Sequence, residues 1–364
     1  MGPLKPREDP KVLGTDKENV LFEHQDFFWK KLGQDAASNG VSFDSYFFPT
    51  AYIDVATIGS LTSMTCGDMY LYKQFDASKQ GKKFTNDLHR TLSRKLAYDG
   101  LFRVRVSTGF FMIIQGLRIG EYYGNIYQRN ATDVEVAGMD SLKSIGVSIL
   151  YDGKLDERMD VYVQAALLYT TSDGQRRVRI HNLSLAVASE LSTVFKHAEV
   201  DASVNFWSKQ MVKKAMSTSL KSIRDELTSK CAAILIAYRV HCATSSAMGQ
   251  LILPESFKLL PLYTLSMLKS RAFKGGVIPS DFRVFTMRLF NHIGVPESLA
   301  YLYPVGYNIS VFNPSLDELN ILPDPMRVSA IRFQTQGIYL VGNEAIDFRK
   351  RTMHVLVGWT AGSA

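Results

Sequence analysis

The spacing of apolar side chains changes twice along the chain. Up to about residue 100, runs of alternating aromatic and β-branched residues stand beside segments with helical spacing. The alternating runs predict strands at SFDSYFF (42–48), AYIDVAT (51–57) and MYLYKQF (69–75). Spacing of three and four predicts helices over residues 21–38 and 82–98. Such a mixture is typical of an α/β layer structure.

Residues 102–188 are almost entirely of β type. Turn pairs such as Asp152-Gly153 and Asp173-Gly174 separate several of the β-rich runs. The runs are FRVRVST, VEVAGM, SIGVSIL, VYVQAALLYTT and RVRIHNLSLAV. Regular short strands with turns between them predict a β-sandwich or barrel.

From about residue 190 to 293 the apolar period becomes helical. One core-facing stripe is Leu220, Ile223, Leu227, Cys231, Ile234, Leu235 and Tyr238. A second is Val200, Val204, Met211, Val212 and Ala215. A later apolar segment follows Pro254, and we expect Pro261 to end or kink it. The last part, 301–364, is β-rich again, with IYLVG and HVLVGW as predicted strands.

Composition narrows the class of protein. With 46% hydrophobic and 21% charged residues, the chain is not a disordered one. No apolar run approaches the length of a membrane helix, and the polar N-terminus does not resemble a signal peptide. Three scattered cysteines argue against a disulfide framework and fit a reducing cytosol. The net charge of +7 suits an anionic surface but does not choose between membrane, nucleic acid and acidic peptide.

Motifs for catalysis and metal binding are missing from the sequence. There is no nucleophile elbow and no zinc helix, and Gly81-Lys82-Lys83 lacks the spacing of a phosphate loop. The seven histidines are dispersed. We therefore predict a protein that is not an enzyme, with no catalytic residue, no metal site and no cofactor in this chain.

Two arginines in FRVRVST are the candidate binding residues. Arg103 and Arg105 are two apart, so on a strand they share one face, while Val104 and Val106 share the other. Paired guanidinium groups on a rigid strand suit a carboxylate, because each planar fork donates two hydrogen bonds. From spacing alone, a solvated face of a sandwich fits as well.

A second arginine cluster lies in QRRVRIHNL. The same alternation places Arg177, Arg179 and His181 on one face. It places Val178 and Ile180 on the opposite face, which we predict to point toward a core.

Several blocks, in order and spacing, resemble one known family. They are LKPREDPKVLGTDKE, YIDVATIG, LFRVRVSTG, NATDVEVAGMD, ALLYTTSDGQRRVRIHNL and GQLILPESFKLLPLY. The likeness runs from about residue 2 to 305 and is to the Sec twenty-four family, the cargo-adaptor subunit of the COPII vesicle coat. GQRRVRIHNL and GQLILPESFKLLP are its most specific blocks.

The resemblance implies a multidomain α+β fold. It comprises part of an α/β trunk (vWA-like) at 1–101, a β-sandwich at 102–189, an all-helical domain at 190–298 and a partial gelsolin-like α/β domain at 299–364. The chain would begin inside the trunk, downstream of a zinc finger, which is where zinc is expected.

Two segments depart from the family's pattern. FFMIIQG (110–116) is an apolar insert just after the arginine pair, and NEAIDFRKRTM (343–353) stands where the family has a shorter turn.

The resemblance also implies a function in recognition. It implies a coat subunit, peripheral on the cytosolic face of the endoplasmic reticulum and on vesicles, that binds sorting signals in cargo tails for ER-to-Golgi transport. The implied partners are the sister coat subunit in a heterodimer, the coat's small GTPase indirectly, cargo tails and the anionic membrane, but not nucleic acid. The family's acidic-signal pocket includes the arginines of RVR, which implies that Arg103 and Arg105 bind cargo signals.

One alternative within the same coat remains open. The GTPase-activating sister subunit needs a catalytic arginine in its gelsolin-like domain, and Arg349 and Arg351 lie in the corresponding tail. A nucleic-acid-binding module is disfavoured because no RRM, KH or helix-turn-helix signature is present.

Overall fold

The computed structural model describes residues 4–107, 116–243, 253, 257–310, 323–334, 337–343 and 352–357. The chain forms two compact units, residues 1–292 and 293–364. The domain bounds expected at 101/102, 189/190 and 298/299 stay predictions.

The first unit contains nine helices among its described residues. They are α1 Phe27–Ser38, α2 Val55–Ile58, α3 Ser60–Met64, α4 Ala77–Ser93, α5 Leu191–His197, α6 Val200–Ala215, α7 Leu220–Cys242, α8 Leu260–Lys269 and α9 Ser280–His292. A 3-10 turn, Glu18–Leu21, precedes them.

The same unit contains nine strands in its described part. They are β1 Ser45–Phe47, β2 Met69–Leu71, β3 Ala97–Val106, β4 Leu117–Tyr123, β5 Tyr127–Gln128, β6 Val134–Met139, β7 Gly146–Tyr151, β8 Val161–Thr171 and β9 Arg176–Leu185.

A small mixed layer lies at the start of the chain. β1 and β2 pair in parallel, and α4 packs on them through Phe84, whose ring meets that of Tyr46 edge to face. The predicted strand at 51–57 is wrong, because the Asp54 side chain accepts a hydrogen bond from the backbone of Thr57 and starts α2 there.

Both predicted helices of this region have other bounds. The helix expected from residue 21 begins at Phe27, where Asp26 caps it. The helix expected to run to 98 is α4, which ends at Ser93, and residues 97–98 open β3. Where a helix and a strand follow each other closely, the same residues fit both the helical and the alternating pattern, so the predicted ends of the helices differ from the observed ones.

Two antiparallel sheets form the β-rich part. The larger has the order β5-β6-β3-β8-β9, and the smaller pairs β4 with β7. Tyr122 of β4 packs with Val104, Val134 and Val136 of the larger sheet and with Cys66, so the core lies between the sheets. The predicted strands of residues 102–188 are confirmed.

The helices of the first unit bury most of the predicted stripes, but Ile234, Leu235 and Tyr238 of the α7 stripe are only half-buried. Leu220, Ile223, Leu227 and Cys231 of α7 are buried, and so is every member of the α6 stripe. The prediction for Pro261 is wrong, since it lies in the first turn of α8. Proline is tolerated there because the first N–H groups of a helix have no intrahelical acceptor.

A partly buried charge cluster ties the mixed layer to the sandwich. Arg94, just after α4, forms ion pairs with Asp44 (3.1 Å), Asp140 (2.7 Å) and Asp68. These carboxylates come from three separate loops, so one guanidinium anchors the segment that leads into β3.

The second unit contains helix α10, Val295–Leu302, and an antiparallel sheet of β10 Val305–Asn308, β11 Ile338–Asn343 and β12 Thr352–Val357. The IYLVG strand is confirmed, and residues 354–357 of HVLVGW lie in β12 as predicted.

Candidate functional site

The candidate arginines lie near the C-terminal end of β3. In its register with β8, Arg103 lies opposite Ala166 and Arg105 opposite Gln164. The pairing of β3 with β6 stops at Phe102 and Val134, so both arginines lie beyond the end of β6. There the loop 129–133, which joins β5 to β6, takes the place of a strand.

The predicted alternation of β3 is confirmed. Val104 is buried in the sandwich core, and its N–H donates to the hydroxyl of Tyr122. Arg105 is exposed, and Arg103 is partly exposed. Since neighbouring strand residues point to opposite faces, both guanidinium groups lie on the face away from the core.

Arg103 is bound by a carboxylate of its own chain. Its Nε donates to Oδ1 of Asp133 at 2.6 Å, and its Nη2 forms an ion pair with the same oxygen. Oδ2 of Asp133 accepts from the side-chain amide of Asn130 at 2.9 Å. The hydrogen bond from Asn130, followed by that from Arg103, lowers the pKa of Asp133.

Arg105 has a different environment. Among the residues that the structure describes, none forms a hydrogen bond or ion pair with its side chain. Gln164, which lies opposite Arg105 on β8, donates its side-chain amide N–H to Oδ1 of Asn182 on β9 at 3.0 Å. Of the two candidate arginines, Arg103 is therefore in an ion pair with Asp133, and Arg105 is exposed.

The predicted faces of β9 are reversed. Directly opposed residues of an antiparallel pair share a face. Leu167 of β8 lies opposite both Phe102 of β3 and Arg179 of β9, so Arg179 is on the face that carries the core. Ala166 lies opposite both Arg103 and Ile180, so Ile180 shares the face of the candidate arginines.

The expectation that Val178 and Ile180 point toward a core is therefore wrong. Val178 is 63% exposed and Ile180 is 53% exposed. The whole of β9 is exposed, because it is the edge strand and lies beyond the part of the sheet that carries the core cluster.

One surface thus combines cationic and apolar side chains. We call it the arginine face, and define it as Arg103, Arg105, Tyr162, Val178 and Ile180. Tyr162 belongs to it because its backbone pairs with Ser107, two residues after Arg105. Strands lie about 4.8 Å apart, so the arginines of β3 and the apolar residues of β9 are separated by roughly 10 Å. A short peptide with an acidic and an apolar side chain spans that distance.

Asp133 was missed by the reasoning from sequence. The signal for it was the run Asn130-Ala131-Thr132-Asp133, in which Asn130 Oδ1 accepts from the backbone N–H of Thr132 and Asp133. Such asparagine turns are common before strands, and nothing in their local pattern shows which distant side chain they face.

Three other expectations fall partly or wholly outside the described residues. They concern residues 110–115 of the apolar insert, most of NEAIDFRKRTM, and Arg349 and Arg351. Within the described ranges, no group of three or more His, Cys, Asp and Glu residues is placed to hold a metal ion. No helix in the described ranges is long and apolar enough to span a membrane.

Family models match three adjoining parts of the chain. They are the Sec23/Sec24 trunk domain over residues 1–92, the Sec23/Sec24 beta-sandwich domain over 97–188 and the Sec23/Sec24 helical domain over 199–300.

Individual relatives and a solved structure agree with these matches. The human "Protein transport protein Sec24D" is 37% identical over 343 residues, which cover 94% of this chain and 32% of the relative. The human "Protein transport protein Sec24C" is 36% identical, with 94% and 30% covered. The crystal structure of the human COPII-coat protein Sec24c matches with a TM-score of 0.83 and 35% identity over 93% of this chain and 44% of that one.

The chain spans about a third of the length of these curated relatives. Its mixed layer, two-sheet sandwich and helices occupy the ranges of the three matched domains in the same order. The chain belongs to the Sec23/Sec24 family, with the trunk, β-sandwich and helical domains of that family and Sec24 proteins as its curated relatives.

Proposed function

We propose that this protein is a cargo-binding subunit of the COPII coat that recognises acidic sorting signals for transport from the endoplasmic reticulum to the Golgi. The names of its relatives, protein transport proteins and a COPII-coat protein, support the coat assignment. The arginine face supports the recognition of acidic peptides. In this role the protein binds and does not catalyse.

The observation that carries the proposal is the placement of the two arginines. Both lie on one face of a central strand, and Arg105 is exposed. A rigid strand holds the two Cα atoms in register, so no backbone entropy of the site is lost when a carboxylate binds. Exposed Ile180 and Tyr162 on the same face offer apolar contact to a neighbouring residue of the signal.

The magnitudes fit weak recognition of a single tail. A hydrogen bond to a charged group contributes roughly 1.5–3 kcal/mol, and ordering a flexible peptide offsets much of two such bonds. One tail is then expected to bind at about micromolar Kd or weaker. Assembly of many coat subunits supplies avidity.

The proposal includes partners and a location. The protein forms a heterodimer with the sister coat subunit, meets the coat's small GTPase through it, and lies peripherally on the endoplasmic reticulum and on vesicles in the cytoplasm. The net charge of +7 favours the anionic leaflet. A pull-down with the recombinant sister subunit tests the heterodimer, and failure to form a complex contradicts it.

Peptide titration tests the recognition site. Arg103→Ala combined with Arg105→Ala removes the charge-assisted bonds and is expected to weaken binding of a diacidic peptide by roughly 2–4 kcal/mol. Replacement of both by Lys restores part of the affinity, because an ammonium keeps the charge but not the fork. Fluorescence anisotropy gives Kd, and the melting temperature of each variant reports its folding.

A matched control lies on the same sheet. Arg177→Ala combined with Arg179→Ala removes the same charge from the opposite face of exposed β9 and is expected to leave the affinity within about twofold. Equal affinity of the wild type and the folded Arg103/Arg105 double variant rejects the proposal.

A further inference from the structure

The carboxylate of Asp133 occupies a defined part of Arg103. One oxygen, Oδ1, receives both Nε and Nη2 of the guanidinium. Asn130 holds the second oxygen, and the backbone N–H of Asp133 donates to Asn130 at 2.8 Å. Asp133 is thus held beside Arg103 by the hydrogen bonds of its own turn.

This contact leaves Arg103 only partly available. A guanidinium has five N–H donors, and Asp133 takes the edge formed by Nε and Nη2. The remaining donors lie on the end of the group, formed by Nη1 and the outer N–H of Nη2. An incoming carboxylate can therefore approach Arg103 end-on but not from the side.

Asp133 also changes the charge of the site. Arg103 and Arg105 carry two positive charges, and Asp133 removes one, which leaves a net charge of +1. Its lowered pKa keeps Asp133 ionised at neutral pH. Every acidic group of a bound signal is therefore repelled by a fixed carboxylate close to Arg103.

We propose that Asp133 is a specificity-determining residue of the signal site: it restricts a cargo carboxylate to the end of Arg103 and to Arg105, and its charge weakens binding of each acidic group in the signal. The proposal rests on the function proposed above. Its consequence is that affinity for acidic tails is held low, so that stable capture depends on multivalent assembly.

The size of the effect follows from Coulomb's law. A carboxylate on the end of Arg103 lies about 7 Å from Asp133, across the guanidinium, and at the dielectric constant of water this repulsion changes affinity about threefold. In a diacidic peptide both acidic groups are repelled by Asp133, so the two factors multiply and the predicted change in affinity is about tenfold.

The experiment compares Asp133→Asn with the wild type on two peptides of equal length, one with a single acidic side chain and one with two. Asparagine keeps an oxygen for Arg103 but removes the charge. We expect affinity to rise about threefold for the first peptide and about tenfold for the second. In an Arg103→Ala background both gains fall below about twofold, because the peptide no longer docks beside Asp133.

The control variant is Asp173→Asn. It makes the same change in net charge in the turn of the β8–β9 hairpin, just beyond Thr171 at the end of β8. Thr171 is five residues along β8 from Ala166, the partner of Arg103, or roughly 17 Å away. Its affinities are expected to stay within about 1.5-fold of the wild type. If Asp133→Asn does not fold, Asp133→Ala is expected to give the same rise.

The outcomes separate the two proposals. If the Arg103/Arg105 double variant loses binding but neither Asp133 variant binds more tightly than Asp173→Asn, this inference is overturned and the proposed function stands. If an Asp133 variant binds more weakly, Asp133 positions Arg103 favourably, and the inference is again wrong. If the double variant binds like the wild type, both proposals fail together.

Discussion

Nε of Arg283 donates to Oε1 of Glu18 at 2.7 Å, and the two side chains are 0% and 1% exposed. The pair joins α9 to the 3-10 turn near the start of the chain, 265 residues away in sequence. Nη1 of Arg283 also donates to the carbonyls of Arg271 (2.9 Å) and Lys274 (2.8 Å). One buried guanidinium therefore satisfies groups from two segments, the 3-10 turn and the loop between α8 and α9.

Arg283→Met should destabilise the protein strongly. It leaves the Glu18 carboxylate buried without its cation and the two carbonyls without a donor, which costs about 3–5 kcal/mol. Urea denaturation followed by circular dichroism measures the free energy of unfolding. The control is Lys79→Met, which removes an exposed partner 3.7 Å from Asp76 and should change stability by less than about 0.5 kcal/mol. Similar decreases in the free energy of unfolding for both variants would contradict a stabilising role of the buried Arg283–Glu18 ion pair.

Two glycines should respond to alanine in opposite directions. A Cβ at Gly67 would overlap the carbonyl of Phe43, whereas at Gly81, inside α4, nothing lies within 4 Å of the new atom. Gly67→Ala is expected to destabilise by about 1–3 kcal/mol, as overpacking does. Gly81→Ala is expected to stabilise by about 0.5–1 kcal/mol, because alanine restricts the unfolded chain and favours the helix. Thermal melts of the two variants provide the comparison, and shifts of the same sign would refute it.

His292 predicts a dependence of stability on pH. Burial, aided by Lys143, Lys209 and Arg94, lowers its pKa to about 3 and outweighs two carboxylates that act in the opposite direction, Asp140 and Asp68, whose Oδ1 lies 2.8 Å from Nε2. The folded state keeps His292 neutral, while the unfolded state protonates it near pH 6.5. The stability associated with this group is complete above pH 6.5 and is lost as the pH falls toward 3.

The expected loss between pH 7 and pH 5.5 is about 1 kcal/mol. His292→Asn removes that difference even if it lowers stability at every pH, so the slope is the measured quantity. His89→Asn changes an exposed histidine and should keep the wild-type slope. An unchanged slope in the His292 variant would contradict the prediction, because it would show that the pKa of His292 is the same in the folded and unfolded states. Chemical denaturation at pH 7 and at pH 5.5 gives the free energy of unfolding at each pH, and their difference is the slope.

Local patterns predicted the elements well where one period ran for several turns or strand residues. The stripe from Leu220 to Cys231 and the alternation of Arg103, Val104 and Arg105 are both found in the structure. Short elements were harder, because the run 51–57 alternates like a strand but Asp54 caps a helix in its middle. A single capping hydrogen bond outweighs alternation over so few residues.

The site was predictable only in part. The spacing of Arg103 and Arg105 placed both on one face, and the resemblance to a coat family pointed to carboxylates as their ligands. Asp133 is 30 residues from Arg103 along the chain, and their ion pair depends on β6 ending where the arginines begin. No local pattern carries that information.

The sequence by itself determined that residues 177–181 form a strand with arginines on one face and apolar residues on the other. Only the tertiary structure decided which face is which. The pairing of β9 with β8, and of β8 with β3, places Arg179 on the side of Phe102 and Ile180 on the side of Arg103. The core ends before it reaches this edge strand, so neither face is buried. Alternation sets only the relation between neighbours in one strand, whereas the register and the extent of the opposing sheet decide what each face meets.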